Sequence, residues 1–214
     1  MIKVLLTSAG GELAPLISQN FKNMKKFRKV VTIGVDIKEQ SVNKHFFDYF
    51  YKVSISKKKY LKDIKKIVKK HNVNLILPAS DEEALMLSSD RKNIEKGKVA
   101  IACTENKNIK IFSNKVATYK TLEKNKIRVG KWDLARNKKE IIKKINNFLN
   151  KNKSVVIKPS VSRGGRNVFI INKKKTKILF NPNDREIELS YADFKNRFIN
   201  DLKDFYPIII MEKL

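Results

Sequence analysis

The part of the chain that most clearly decides the fold reads Val155-Val156-Ile157-Lys158-Pro159-Ser160-Val161-Ser162-Arg163-Gly164-Gly165-Arg166-Asn167-Val168. It begins as an apolar strand that delivers Lys158, turns through Ser, Gly and Arg residues, and returns as a second strand. The two glycines let backbone N–H groups approach a ligand closely, and such a cluster of N–H groups favours anionic oxygens. The stretch therefore predicts a polyphosphate site. A plain surface hairpin in a lysine-rich protein explains the same pattern equally well.

The segments on both sides of this stretch mix helices with short strands. Helical spacing of apolar residues predicts helices over residues 114–124, 138–150 and 191–202. Strands are predicted at residues 154–157, 167–171, 177–180 and 207–211. Residues 184–190 are interpreted as a polar connection, and Trp132 is expected in the core of the segment that joins the two halves. A hairpin combined with separate helices is typical of an α+β domain.

The first half of the chain alternates apolar strands with amphipathic helices. Strands are predicted at residues 2–7, 30–35, 74–77 and 99–102. A helix is predicted over 13–21, and a second one around Tyr60–Val68, where apolar residues recur at helical spacing. This alternation predicts a parallel sheet covered on both faces, hence an α/β fold. The pattern changes near residue 112, which predicts two domains, 1–112 and 113–214.

The order of the motifs resembles the ATP-grasp superfamily over the whole chain. A Rossmann-like domain comes first, then an Asn-Lys helix start at Asn114–Tyr119. A strand ending in Lys-Pro with a Ser/Gly-rich loop follows at Lys158–Arg166, and a hinge strand ends in Glu at Ile210–Leu214. The resemblance implies a Rossmann-like, parallel-sheet pre-ATP-grasp domain followed by an α+β N-terminal lobe of the ATP-grasp domain. The chain most resembles stand-alone proteins similar to the large chain of carbamoyl-phosphate synthase.

The resemblance also implies roles for single residues. Lys115 and Lys158 would reach the phosphates of ATP, with Lys158 also near the adenine ring. The loop that closes over the phosphates would include Ser162, Gly164 and Gly165, and the hinge that contacts adenine would be Glu212, Lys213 and Leu214. The family implies a carbon–nitrogen ligase that uses ATP and Mg²⁺ to convert a small carboxylate into an acyl phosphate. Asn stands at 167, where family members often have Gly, and Asn tolerates left-handed backbone better than most residues.

A second departure from the family is the end of the sequence at Leu214, inside the hinge motif. In the family, the acidic residues and the asparagine that hold magnesium, and an arginine that steadies the transferred phosphoryl group, come after this point. Without metal ligands the γ-phosphate is not neutralised for transfer. The expectation is therefore a fragment, or half of a split enzyme, with little turnover alone. Its partner would be a separate C-terminal lobe or a second copy.

Two sets of residues in the first half are candidates for substrate binding. Gly10 and Gly11 end the first strand and Asp36 ends the second, which invites a dinucleotide-binding interpretation. The G-x-G-x-x-G pattern is not matched, and the resemblance favours either contact with the acceptor substrate or a role that only shapes the fold. Asp81 and Glu82 follow the third predicted strand and could contact that substrate too. The favoured alternative is that Ser80 or Asp81 caps a helix whose first turn suits acidic residues.

The charge of the chain allows two interpretations. There are 48 basic and 21 acidic residues, a net charge of +27, but only 8 of the basic residues are arginines. Nucleic-acid readers favour arginine, and the many Lys, Asn and Ile residues share A/T-rich codons, so genome composition can produce this charge. We therefore expect no specific nucleic-acid partner, although non-specific affinity for polyanions rises at low salt. The alternative function is a non-catalytic nucleotide- or polyanion-binding protein, with the basic helix Lys57–Lys70 as its contact. More often such a helix packs its apolar side on the sheet and leaves its lysines solvated.

Other classes of protein fit the sequence poorly. No run approaches the roughly 18 apolar residues of a membrane helix, and the first apolar stretch is cut short by Gly10. Cys103 is the one cysteine, so an internal disulfide or a cysteine metal site is excluded. His45 and His71 are the only histidines and are far apart in sequence. We therefore expect a cytoplasmic protein without a metal site in residues 1–214.

Overall fold

The protein is described by a computed structural model that covers residues 1–24, 29–151, 154–162, 167–173 and 186–213. The chain divides into two compact units, residues 1–110 and 111–214. Each unit is built around its own five-stranded sheet. In the described ranges, no helix is both long and apolar enough to cross a membrane.

The first unit contains a fully parallel sheet. Its strands are β1 (Ile2–Leu6), β2 (Val30–Asp36), β3 (Tyr49–Lys52), β4 (Leu75–Leu77) and β5 (Ala100–Ile101). Their order in space is β3-β2-β1-β4-β5. The chain therefore adds β2 and β3 on one side of β1 and then crosses over to add β4 and β5 on the other side. The four strands predicted from the sequence are confirmed. β3 was not predicted, because four residues with an exposed tyrosine at the start give no strand periodicity.

Helices cover this sheet. They are α1 (Ala14–Lys22), α2 (Lys57–His71), α3 (Asp81–Ser89), α4 (Arg91–Glu95) and α5 (Asn106–Phe112), with a 3-10 helix at Val42–Phe46. α2 buries one side of its surface, including Tyr60, Ile64 and Ile67, against strand residues such as Leu5 and Ile76. Burial of a large apolar side chain contributes about 1.5–3 kcal/mol, so the predicted amphipathic helix is held by its apolar stripe. Its charged side faces solvent.

The second unit contains a mixed sheet. Its strands are β6 (Trp132–Ala135), β7 (Ser154–Pro159), β8 (Val168–Asn172), β9 (Glu186–Ser190) and β10 (Ile208–Glu212). The order is β6-β10-β7-β8-β9, antiparallel throughout except for the parallel pair β8 and β9. Its helices are α6 (Lys115–Lys124), α7 (Lys138–Lys151) and α8 (Tyr191–Asp193), and α8 continues as a π-helical turn (Phe194–Phe198) and a 3-10 helix (Ile199–Phe205).

The structure corrects two sequence interpretations in the second unit and leaves one aside. Residues 186–190 form strand β9 rather than a polar connection, because Leu189 alternates into the core while its neighbours stay polar. Trp132 begins strand β6 and is half-buried rather than a core residue. The strand expected at residues 177–180 lies outside the described residues.

One face of the second sheet is packed and the other is more open. The packed face meets α7, whose Ile141, Ile145 and Leu149 join Val155 and Ile157 of β7 in one core. Because side chains alternate along a strand, the intervening residues of β7 and β10 point to the opposite side, which we call the outer face. Strand register gives its members as Trp132, Leu134, Val156, Lys158, Ile170, Ile209 and Met211.

Candidate functional site

Lys158 lies near the end of β7, on the outer face of the second sheet. Val155 and Ile157 are fully buried, whereas Val156 and Lys158 are half-buried. The Lys158 Nζ atom lies 5.4 Å from the centroid of the Tyr119 ring. Such a cation–π contact is worth about 0.5–1 kcal/mol at an exposed site. The ring therefore orients the ammonium while leaving its N–H groups able to donate to a ligand.

Tyr119 is the centre of the side-chain contacts on the outer face. Its ring packs at 5.5 Å from the ring of Trp132, and its hydroxyl lies 3.6 Å from the Met211 sulfur. The Trp132 indole N–H donates to Glu123 Oε1 at 2.8 Å. α6, β6 and β10 thus meet at one aromatic cluster beside Lys158. Sequence reasoning missed Tyr119, because its only signal was a place on the predicted helix face.

Lys115 begins α6, where the Asn114 side chain caps the helix by accepting from the N–H groups of Val116 and Ala117. The backbone N–H of Lys115 donates to the Ser160 carbonyl at 2.9 Å. Its Nζ donates to the carbonyl of Ser162 at 2.9 Å and to the Ser162 hydroxyl at 3.1 Å. The structure therefore brings Lys115 and Ser162 together at the end of β7, where Lys158 also lies.

The glycine loop is only partly described. Gly164 and Gly165 lie outside the described residues, so their predicted role stays a prediction. Asn167, which closes the loop before β8, has a φ of 58°. Left-handed backbone of this kind is tolerated by Asn better than by most residues other than Gly, as the sequence analysis expected for this position.

The hinge residues lie at the end of β10. Glu212 is bonded to the neighbouring chain segment: its N–H donates to the Lys131 carbonyl at 3.0 Å, and its Oε1 accepts from the Lys131 N–H at 2.8 Å. The Lys213 ammonium lies 4.0 Å from Glu188 Oε1. Leu214 lies outside the described residues. The Glu212 N–H is thus already used, and a base contact from this hinge would have to come from other backbone groups.

The loop after β1 uses its own N–H groups within the protein. Ser8 N donates to Glu83 Oε1 at 3.2 Å, Ala9 N to the Val35 carbonyl at 3.0 Å, and Gly11 N to the Ser8 carbonyl at 3.0 Å. Gly10 N donates to Asp36 Oδ2 at 2.8 Å. A dinucleotide-binding loop needs such N–H groups for the pyrophosphate. This geometry argues against the dinucleotide interpretation of Gly10, Gly11 and Asp36.

Gly10 lies close to the Asp36 carboxylate, so a larger residue at this position would displace that side chain. A Cβ atom at Gly10 would lie 2.9 Å from Asp36 Oδ2, which is shorter than a normal contact. Asp36 also accepts from the Lys38 N–H at 2.9 Å. The aspartate at the end of β2 therefore fastens the β1 loop and the turn after β2.

Glu83 is the buried acid at the carboxyl edge of the first sheet, and sequence reasoning missed it. Its two oxygens accept from the hydroxyls of Thr7 (2.6 Å), Ser8 (2.5 Å), Ser80 (3.1 Å) and Tyr60 (3.3 Å). Glu83 is only 8% exposed. Burial, with the charge of Glu83 adding to it, raises the pKa of Tyr60 well above its usual range, so this phenol stays a hydrogen-bond donor. These hydrogen bonds hold the β1 loop in place, and no local sequence pattern predicts the cluster around Glu83.

The helix cap favoured for the region after β4 is confirmed. Ser80 accepts from the Glu83 N–H at 3.3 Å, and α3 starts at Asp81. Asp81 and Glu82 are exposed in its first turn, where acidic residues suit the helix dipole. Their contact with a substrate stays a prediction. Among the described residues, no group of three or more His, Cys, Asp or Glu side chains could hold a metal ion.

Two family models match the two parts of the chain. Residues 4–102 match the model described as PylC-like, N-terminal domain. Residues 105–207 match the model described as YheC/D like ATP-grasp. The chain belongs to the ATP-grasp superfamily. A search of curated proteins finds no match.

Solved structures share this ATP-grasp fold along the whole chain. N5-carboxyaminoimidazole synthetase from Staphylococcus aureus, complexed with ADP, has a TM-score of 0.63 at 14% identity. The corresponding ribonucleotide synthetase from Thermotoga maritima has a TM-score of 0.62 at 17% identity, and the synthase from Aspergillus clavatus, complexed with ATP, 0.64 at 14%. The alignments cover 100% of this chain and 46–47% of the others. This ATP-grasp chain thus spans about half the length of the proteins it resembles.

Proposed function

We propose that this chain supplies the ATP-binding portion of an ATP-grasp carbon–nitrogen ligase. In that reaction a carboxylate oxygen attacks the γ-phosphorus of ATP and ADP leaves. An amine then attacks the carbonyl carbon of the acyl phosphate and displaces phosphate. The observation that supports the proposal best is the position of Lys115 and Lys158, which come from different elements and both lie near the end of β7.

The two lysines suit a triphosphate. Both lysines are half-buried near the end of β7, where a charge interaction is stronger than in bulk water. Prearranged donors of this kind stabilise phosphate charge without reorganising during the reaction. Two of the solved proteins with this fold are described as ADP and ATP complexes, which adds support for nucleotide binding here.

The outer face also suits a purine base. Tyr119, Trp132 and Met211 offer aromatic and thioether surface next to Lys158. Flat apolar groups of this kind pack well against an aromatic ring. We assign the adenine contact to this surface and to the hinge at Glu212, Lys213 and Leu214, and the phosphates to Lys115, Lys158, Ser162 and the glycines 164 and 165.

The remaining parts of the reaction extend the proposal beyond this chain. The described residues do not fit a magnesium site, so we assign none of them to the metal that ATP-grasp chemistry uses. Gly10, Gly11, Asp81 and Glu82 lie at the carboxyl edge of the first sheet, where α/β proteins bind ligands, and we assign the small carboxylate acceptor to that edge. We propose nucleotide binding with little turnover for this chain alone, and full activity with a separate lobe or a second copy.

A nucleotide titration tests the proposal. Trp132 is the only tryptophan, and its ring packs on Tyr119, so its fluorescence should change when ATP occupies the outer face. Lys158→Ala should weaken ATP binding about tenfold or more, since a hydrogen bond to a charged group contributes about 1.5–3 kcal/mol. The matched control is Lys139→Ala, an exposed lysine on α7 that carries the same charge.

The outcome separates the ligase proposal from its alternative. Equal ATP affinity in Lys158→Ala and wild type would contradict the proposal. A loss of the same size in both lysine variants would mean that ATP responds only to net charge, as a general polyanion-binding protein would. Calorimetry with ATP, ADP and tripolyphosphate completes the test, because a base-specific site binds ADP more tightly than its phosphate content alone predicts.

A further inference from the structure

Helix α2 concentrates positive charge far above the average of the chain. Eight of the 15 residues in Lys57–His71 are lysines, and Asp63 is the one acid among them. Across the whole chain lysine is about one residue in five. Codon composition acts on every segment alike, so it does not explain why a single helix carries this many.

The lysines of α2 lie on its solvent side. Lys58, Lys62, Lys66, Lys69 and Lys70 are exposed. Their spacing of three or four residues places them along one side of the helix over about 18 Å, at 1.5 Å per residue. Within the described residues, Lys65 of this helix pairs with Asp90 at 2.5 Å, and both side chains line an open groove of about 650 Å³.

The opposite side of α2 is already used by the fold. Tyr60, Ile64, Ile67 and Val68 are buried against the first sheet. An amphipathic helix that binds a membrane surface must insert its apolar side among the lipids, and this helix cannot do so without leaving the core. The surface that α2 offers to a binding partner is therefore its charged side alone.

Aromatic rings lie at the carboxyl end of the same helix. The His71 ring packs against two tyrosines of edge strand β3, at 4.5 Å from the Tyr49 ring and 5.5 Å from the Tyr51 ring. The Lys70 ammonium lies 5.1 Å from the centre of the Tyr51 ring. Tyr49 is 48% exposed. The carboxyl end of the lysine-rich helix thus lies next to the exposed Tyr49 ring, which packs against His71.

We propose that α2 and Tyr49 form a binding surface for single-stranded nucleic acid. Lysines that track the phosphates, combined with an aromatic ring on which a base stacks, are the two elements of sequence-independent single-strand binding. The helix has no arginine, which is the residue that most often reads base edges. The exposed ring favours nucleic acid over an acidic protein, which would need charge but no stacking surface.

Binding of a fluorescein-labelled 12-nucleotide uridine oligomer to the full chain tests the charge part of the proposal. The variant Lys62→Gln/Lys66→Gln/Lys69→Gln is compared with Lys139→Gln/Lys143→Gln/Lys151→Gln, which removes three exposed lysines from α7. Each lysine–phosphate contact on a single strand contributes about −0.7 to the slope of log K against log salt. The α2 variant should reduce the size of that slope by about two, and the α7 variant should leave it unchanged.

Variants of Tyr49 test the stacking part. Tyr49→Ala should weaken oligomer binding about tenfold, because base stacking is worth about 1–3 kcal/mol, and Tyr49→Phe should restore it. Tripolyphosphate, which has no base, should bind Tyr49→Ala and wild type equally. Saturating ATP should not displace the oligomer from this surface.

Three results would overturn the proposal. Equal losses in the α2 and α7 variants would show that the oligomer follows net charge only. Unchanged oligomer binding in Tyr49→Ala would show that no base stacks on Tyr49. The α2 surface would then bind acidic proteins or other polyanions through charge only. Displacement of the oligomer by ATP would place the oligomer at the nucleotide site. As a control, circular dichroism of each variant shows whether a loss of binding comes from unfolding.

Discussion

The side-chain ammonium of Lys115 donates to both oxygens of Ser162, although the two residues are 47 positions apart. A third bond joins the Lys115 N–H to the Ser160 carbonyl. The start of α6 is thereby fastened to the segment that leaves β7. A phosphate that binds the Lys115 ammonium would compete with Ser162, so ligand binding and the position of this segment are linked.

The first prediction concerns this pair. Lys115→Ala should weaken ATP binding about tenfold, because a charged donor is lost. Ser162→Ala should weaken ATP binding by only about two- to fivefold, because the Ser162 carbonyl still accepts from Lys115. Isothermal titration calorimetry measures both, with Lys139→Ala as the charge control. A larger loss from Ser162→Ala than from Lys115→Ala would contradict the assignment of Lys115 to the phosphates.

The second prediction concerns the aromatic cluster of the outer face. Tyr119→Ala removes the ring that contacts both Trp132 and Lys158, and should cost about 1–3 kcal/mol of unfolding free energy, since the ring is only partly buried. The emission of Trp132 should shift to the red as water reaches the indole. Tyr119→Phe keeps the ring and should lose less than about 1 kcal/mol. Urea denaturation followed by fluorescence measures both quantities, and an unshifted emission in Tyr119→Ala would count against the cluster.

The third prediction concerns the buried carboxylate of the first unit. Glu83→Ala leaves the hydroxyls of Thr7, Ser8 and Tyr60 without their acceptor and should destabilise the protein by about 3 kcal/mol, since buried donors without partners are costly. Glu83→Gln keeps the size but presents an amide donor to hydroxyl donors, and should lose about half as much. Exposed Glu82 is the control, and Glu82→Ala should change the thermal midpoint little. Equal effects at 82 and 83 would contradict the prediction.

The fourth prediction is a pH dependence at Asp48. Burial alone would raise the pKa of this carboxyl, but the Thr32 N–H at 2.8 Å, the Thr32 hydroxyl and the Lys22 ammonium at 3.3 Å outweigh burial and lower the pKa. A carboxyl whose pKa is lower in the folded state stabilises the protein above its unfolded pKa, and this stabilisation is lost as pH falls through the folded pKa.

Asp48→Asn should therefore be less stable than wild type by about 1 kcal/mol at pH 7, since the site is partly exposed. The difference should shrink below about pH 4, where aspartate begins to take up protons. Urea denaturation at pH 7, 5 and 3 measures it. A stability gap that stays constant down to pH 3 would show that the hydrogen bonds do not depend on the charge of Asp48.

Much of the architecture could be predicted from local pattern. Apolar runs such as Val30–Asp36 give buried parallel strands, because both faces of such a strand are covered. The apolar spacing in Lys57–His71 gave a helix with a buried side. Strands β3 and β9 were missed for different reasons: β3 has only four residues and no alternation, whereas β9 alternates but has only two apolar residues, Ile187 and Leu189. Sequence analysis placed Asp184–Ser190 in a polar connection, because five of its seven residues are polar.

The candidate site was predictable only in part. Lys158 stands out as the end of an apolar strand before a glycine loop, and Ser80 stands out as a helix cap. Tyr119 and Glu83 do not, because their roles depend on partners far away in the chain: Met211 for the first and Thr7 for the second. Contacts of this kind are created by the sheet register and helix packing rather than by neighbours in sequence.

The sequence by itself determined most of the elements, the order of the ATP-grasp motifs and the excess of lysine, since each follows from residue type and short-range spacing. The tertiary structure decided which of the 40 lysines have a defined place. Lys115 lies against Ser162, Lys158 lies against Tyr119, and the lysines of α2 line one solvent face that ends at Tyr49. The physical reason is that the role of a charged side chain depends on its contacts. An ordinary surface ammonium is solvated and has no fixed position, whereas one held by a carbonyl oxygen or an aromatic ring has a defined position from which it can donate to a ligand.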